Sequence, residues 1–378
     1  MKITCKQQDL SRGLSVVGHA VSNRSTLPIL ANILLATDHG RLKLSATNLE
    51  IGINCWIDAE VQEEGTTTVP AKLISDLVSS LPQTSVDLNV AEDTHTINVK
   101  SLRSSASIKG MDPSEFPLIP TAEGGEPPVM LDASLLKEMI AQVTFAAADD
   151  DSRPVLTGIY VEVSNEKLTF AAADAFRLAV RAASLPEDNV AHSPILIPAR
   201  TLNELARILP GEGSVQMIVT PNRSQVLFHT DQIDLVSRLI EGTFPNFRGI
   251  IPKEYTTRAV IETKEFAAAV KSVTPFARDS SNITLVKVSG GKDNAETGTL
   301  TIEATAEDVG SNISTINAAV DGPEQEIIFN VKYLSEVLAA MDTPEVALEV
   351  ISKARPGVLK PVSAADYTCV IMPMSTNR

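Results

Sequence analysis

Asp149-Asp150-Asp151 is the densest carboxylate run in the chain, and converging carboxylate oxygens are what a hard cation requires. Three consecutive acids cannot all face one ion from a regular element. The run also follows Phe145-Ala146-Ala147-Ala148, which reads as a helix end, so a solvated loop is expected. The five histidines, at 19, 39, 95, 192 and 229, form no HxxxH or HxH pair, and His39 and His95 fall at hairpin tips. Gly290-Gly291-Lys292 lacks the full phosphate-loop spacing and sits in a polar hairpin loop. No GxSxG nucleophile elbow occurs. Cys5, Cys55 and Cys369 are odd in number, far apart and in no CxxC pair, which points to buried, reduced thiols. Catalysis finds no support here, and neither a metal nor a cofactor is expected.

The cations carry more pattern. Arg12, Lys137 and Lys271 fall on three similar helices, away from their apolar stripes. Lys72, Arg200 and Lys332 open three further helices at matched positions. Arg24, Arg153 and Arg278 follow the ends of the first set in approximate register. A cation that recurs at one position in every copy predicts a surface kept positive by repetition. The net charge of −15 argues the other way, since attraction to phosphate needs positive surface. Only segregation of the cations reconciles the two.

The elements that position these residues repeat three times along the 378 residues. Leu10, Leu14, Val17 and Val21 mark one face of a helix. The face recurs as Leu136, Ile140 and Val143, 126 residues on, and as Phe266, Val270 and Val273, a further 130 on. Asp9, Asp132 and Thr263 are the expected caps. A hairpin follows each helix, resuming at Leu42, Leu168 and Leu300. Then come Val69-Pro70, Ile197-Pro198 and Phe329-Asn330, each leading into a second helix. The apolar faces read there are Leu73, Leu77 and Leu81; Leu202, Leu205 and Leu209; and Leu334, Val337 and Met341. Phe116-Pro117, Phe244-Pro245 and Met372-Pro373 close the copies at intervals of 128. Each copy should hold two helices and about eight strands, an α+β unit with an antiparallel sheet covered by helices on one face. The expected boundaries are 1–124, 125–254 and 255–378. No apolar run is long enough to cross a bilayer and no signal peptide is evident, so a cytoplasmic location is expected.

Four segments then resemble the bacterial DNA sliding clamps, the beta subunits of the replicative DNA polymerase III. They are Arg24-Ser25-Thr26-Leu27-Pro28-Ile29-Leu30, Ala173-Asp174-Ala175-Phe176-Arg177-Leu178-Ala179, Gly242-Thr243-Phe244-Pro245 and Val370-Ile371-Met372-Pro373-Met374. The likeness spans the whole chain. It implies three clamp domains per chain and a head-to-tail homodimer closing into a six-domain ring around duplex DNA. Twelve helices at about 9 Å spacing give a ring about 35 Å across, wide enough for a duplex. The resemblance implies a non-catalytic processivity factor, held on DNA by linkage, with Arg12, Arg24, Lys72, Lys137, Arg153, Arg200, Lys271 and Lys332 facing the DNA. Its implied partners are the polymerase catalytic subunit, the clamp loader and other clamp-binding replication and repair proteins. They would dock peptides on Leu156, Ala173, Ala175, Phe176, Arg177, Leu178, Pro245, Ile250, Val370, Met372, Pro373 and Met374. Met suits such promiscuous apolar recognition because it adapts its shape. Phe276, read as lying directly after the third copy's first helix, and Ile108 are the expected dimer contacts. Two other readings stay open at this point: an oligomeric ligand-binding protein, and a metal hydrolase using Asp149–Asp151.

Overall fold

A computed structural model of the protein describes residues 1–22, 26–90, 94–120, 125–164, 166–185, 191–278, 280–290, 298–308, 310–363 and 366–375. Among them are six α-helices: α1 (Gln7–Gly18), α2 (Ala71–Ser80), α3 (Ala133–Val143), α4 (Ala199–Ile208), α5 (Thr263–Arg278) and α6 (Val331–Ala339). Twenty-four strands accompany them, eight in each repeat. The chain forms two compact units, Met1–Leu136 with Arg200–Leu239, and Lys137–Ala199 with Ile240–Arg378. Each unit is built on one twelve-stranded antiparallel sheet.

The expectation of one sheet per repeat is corrected here. The central repeat divides its strands, giving Val129–Asp132 and the three strands from Ser214 to Arg238 to the first unit's sheet. Its other four, from Gly158 to Pro198, join the second unit's sheet. The join in the first unit sets strand Ile51–Glu63 against Ile233–Arg238, with Ile53 opposite Leu235. In the second, Arg177–Ser184 lies against Tyr367–Ile371, with Ala179 opposite Cys369. Sharing a sheet in this way pairs strand edges that would otherwise be exposed.

Alternating strands and helices with one apolar face produce the cores. Leu10, Leu14 and Val17 of α1 are fully buried where the helix packs on strands Arg41–Thr47 and Ile51–Glu63, each contributing roughly 1.5–3 kcal/mol. α1 sits close to its sheet because Gly13 has no side chain: a Cβ there would meet Leu44 Cδ1 at 2.7 Å. The hairpin between Asn32–Asp38 and Arg41–Thr47 turns at His39 and Gly40, both at positive φ, as a two-residue turn demands. His95 has positive φ as well.

Three helix expectations need correction. Asp132 does cap α3, accepting from Leu135 N at 2.9 Å, but Asp9 and Thr263 cap nothing. α1 starts at Gln7, two residues before Asp9, and α5 starts at Thr263 itself, whose hydroxyl is buried without a partner. In α2 the buried face is Ala71, Ile74 and Val78, whereas Leu73 is 53% exposed. The leucine spacing was helical, but it marked a second apolar face beside the core face. Phe276 lies inside α5, which runs through Pro275 to Arg278.

All three cysteines are free and buried. Desolvation pushes the Cys5 and Cys369 thiols up to about 12 and Cys55 to about 11, away from the reactive thiolate. No helix among the described residues is long and apolar enough to cross a membrane.

Candidate partner-docking site

The second unit brings six of the twelve expected docking residues onto one hairpin and its neighbouring strand. Lys167–Ala173 and Arg177–Ser184 pair antiparallel, and Asp174 builds the turn between them. Its Oδ1 accepts from Phe176 N at 2.9 Å and Arg177 N at 3.1 Å. Ala175 takes φ of 83°, an uncommon conformation for a residue with a Cβ. The turn leaves Phe176 57% exposed, its ring stacked on Tyr333 at 6.4 Å.

Beneath lies an apolar floor. Leu156, Leu178 and Val370 are buried in one cluster with Leu196, Phe244 and Phe247, and Ala173 packs against it. Leu178 sits directly opposite Val370 across the strand pair, so one sheet position holds both. Ile251 packs on the same cluster, while the preceding Ile250 is 45% exposed and Pro245 is exposed. The C-terminal segment is tied in by its backbone: Met372 N donates to Phe176 O at 2.8 Å and Met374 N to Ile328 O at 2.9 Å. Met372 remains 39% exposed, and Pro373 and Met374 are half-buried. Among the sequence-predicted docking residues, then, Leu156, Leu178 and Val370 form floor and Phe176, Ile250 and Met372 offer exposed apolar surface.

Arg177 is different. It is buried, with Nε 2.9 Å from Asp174 Oδ2 and its guanidinium paired with Glu336. The same group lies over Tyr333 at 4.5 Å and Phe145 at 5.5 Å. Charge pairing and cation–π contact together hold it as a wall of the site. Glu336, Tyr333 and Phe247 escaped sequence reading. Tyr333 adjoins the matched cation Lys332, and Glu336 one helical turn on was the available signal.

The matched cations are mostly on the surface. Arg12, Lys72, Arg153 and Lys271 are exposed and Lys137 is half-buried. Arg200 is engaged by Glu50, and Lys332 lies 3.9 Å from Glu336, so both offer less free charge than the sequence implied. Arg24 lies outside the described residues. Asp149, Asp150 and Asp151 are exposed, and Asp150 Oδ1 accepts from Ser152 N at 2.9 Å, which makes it a turn residue. Among the described residues no group of three or more His, Cys, Asp or Glu is placed to hold a metal ion. Ile108 is buried within its own unit and Phe276 is half-buried.

Three family models cover almost the entire chain. They are the N-terminal, central and C-terminal domains of the DNA polymerase III beta subunit, matching residues 1–120, 130–246 and 248–375. The chain belongs to the bacterial beta sliding clamps. A beta sliding clamp of Synechocystis is 33% identical over 99% of both chains. The DNA polymerase sliding clamp of Bacillus subtilis superposes with a TM-score of 0.92 at 26% identity, over 100% of this chain and 99% of that one. A sliding clamp from Pseudomonas aeruginosa, solved bound to griselimycin, has a TM-score of 0.91 at 26% identity, each chain covered in full at 100%. For this clamp the three-copy sequence pattern, the shared sheets and the family coincide.

Proposed function

We propose that two copies of this clamp close head to tail around duplex DNA, and that polymerase and loader peptides dock on the Leu178–Val370 site. The observation that carries the reading is an unmatched pair of strand edges. Two joins between repeats lie within the chain, and they use one geometry. In the first, Trp56 N donates to Gln232 O at 2.9 Å. In the second, Ala182 N donates to Asp366 O at 2.8 Å from the equivalent repeat position. One member of each set is left over. Ser104–Lys109 ends its sheet, and Gly310–Asp321 has a free edge along its first half, where Ile313 is 62% exposed.

Transferred by repeat position, the register of the two internal joins sets Ala106 opposite Asn312 and Ser105 opposite Ile313 of the other copy. Thr315 N would donate to Arg103 O. The contact is heterologous, and a second copy closes it into a ring of six domains. The proposed domain boundaries are 1–124, 125–254 and 255–378, and the proposed seam joins the first domain to the third. Arg12, Lys72, Lys137, Arg153 and Lys271 are the proposed DNA-facing cations, with Arg200 and Lys332 weaker. A net charge of −15 suits retention by linkage, because an acidic exterior does not hold other DNA.

The clamp performs no catalysis in this reading, needs no metal, and works in the cytoplasm. Its partners are the polymerase catalytic subunit, the loader and other clamp-binding replication and repair proteins. Chelator-treated clamp should keep its thermal melting curve and still lengthen the products of a partner polymerase once metal for the polymerase is restored. Irreversible loss of either property on metal removal would overturn the metal-free reading.

A further inference from the structure

We infer that the seam between copies has the opposite charge polarity to the two joins inside the chain, and that Arg103 and Glu265 of the other copy form its specifying pair. The inference rests on the ring proposed above. Each join brings a hairpin tip against a neighbouring wall. In the first unit the tip carries acids and the wall cations: Arg41 Nη1 donates to the backbone O of Asp231 at 3.3 Å, and burial pushes the Asp234 carboxyl up while His229 and, less strongly, Lys43 oppose that shift. The second unit repeats the sense, with Lys167 Nζ 2.5 Å from Asp366 Oδ2. Arg41 and Lys167 occupy the same repeat position, opposite Asp58 and Ser184 on the partner strand of their hairpins.

At the left-over edges the signs exchange. The tip is now Leu102-Arg103, with Leu102 77% exposed, and the wall position of Arg41 and Lys167 is the neutral Thr299. Thr299 lines an open cleft of about 750 Å³ that also holds Glu262, Glu265, Asn317 and Glu345. Glu262 and Glu345 lie directly opposite each other across a strand pair, an arrangement that is unfavourable until a cation approaches. Glu265 and Asn317 correspond by repeat position to Asp9 and Asp58 of the first unit. There, both residues line a cleft that Gln232 also lines, and Gln232 is the repeat counterpart of Arg103. Arg103 and Glu265 are both exposed, and neither has an ion-pair partner among the described residues. The occupant that fits the cleft is therefore the Leu102-Arg103 tip of a second copy.

The reversal has a consequence for assembly. A basic tip would meet the cation Arg41 or Lys167 at an internal wall but the neutral Thr299 in the third domain, which favours head-to-tail order over mispaired edges. The experiment is sedimentation velocity and subunit exchange on full-length protein at low and high salt. Arg103→Glu should weaken the dimer about tenfold or more at low salt, as should Glu265→Arg, with melting curves unchanged. The double exchange should recover most of the loss, and the single-variant defects should shrink as salt rises. Single variants that dimerise like the parent protein, or a double variant no better than either, would overturn the pair while leaving the ring intact. A parent protein that is monomeric at every concentration would instead remove the ring and the pair together.

Discussion

Phe276→Arg converts the dimer to monomer at micromolar concentration while the chain stays folded. The expectation follows from how the helix ends meet at the internal join. In the first unit the end of α1 reaches α4 through His19 Nδ1, 2.6 Å from Glu204 Oε2. The repeat counterpart of α1 is α5, whose end carries Pro275 and Phe276, and the counterpart of α4 is α2. α4 buries Leu202 and Leu205, whereas α2 leaves Leu73 exposed and Leu77 half-buried. Those leucines are the surface that Phe276 of the other copy should cover. An aromatic anchor at the centre of an interface contributes about 2–4 kcal/mol, so its replacement by a charge should weaken dimerisation roughly 30- to 1000-fold. Leu73→Asp should act in the same direction. Sedimentation at a series of concentrations reads both, and an unchanged dimer for Phe276→Arg would remove that helix end from the seam.

Deleting Met372 through Arg378 should cost a docked partner peptide about 2–4 kcal/mol, or roughly 30- to 1000-fold in affinity, without opening the ring. The deletion begins just after strand Tyr367–Ile371, so the pairing of Leu178 with Val370 survives. Lost are the exposed Met372, the half-buried Met374 and their backbone ties to Phe176 and Ile328. The proposed seam lies on other strands, so the dimer mass should be retained. A short Gln- and Leu-rich peptide titrated into the truncated dimer provides the readout. Undiminished binding would show that partners dock elsewhere and would end the proposal for Leu156, Leu178 and Val370 as a floor.

Near-equal spacing made the three-copy plan legible, because Leu10, Leu14 and Val17 and their counterparts Leu136, Ile140, Val143, Phe266, Val270 and Val273 all fall on core faces, whereas Val21 lies past the end of α1 and is half-buried. The floor residues Leu178 and Val370 were legible only through family likeness, since nothing in the order of the chain joins strands 192 positions apart. Periodicity failed where a helix has two apolar faces. In α2, Leu73 and Leu77 follow helical spacing as well as Ile74 and Val78 do, and hydrophobicity alone cannot say which face meets the core. Local reading also falls short at α5: Phe276 reads as lying directly after the helix, yet the helix runs through Pro275 to Arg278. Long-range pairings were invisible: Arg177 with Glu336, and strand Ile51–Glu63 with Ile233–Arg238, arise from sheet sharing that no local signal encodes. The tip residues Leu102 and Arg103 acquire meaning only once those joins are compared.

The central claim is linkage, and the most direct measurement of it compares one clamp on two DNA topologies. The protein is loaded onto a closed circle by its loader, the circle is divided into two portions, and one portion is cut once. After passage over a sizing column at high salt, the clamp should stay with the closed circle and leave the cut one within minutes. Direct phosphate binding gives a different result, because affinity built on counterion release falls steeply with salt on any DNA form. Equal loss from closed and cut circles would contradict a ring.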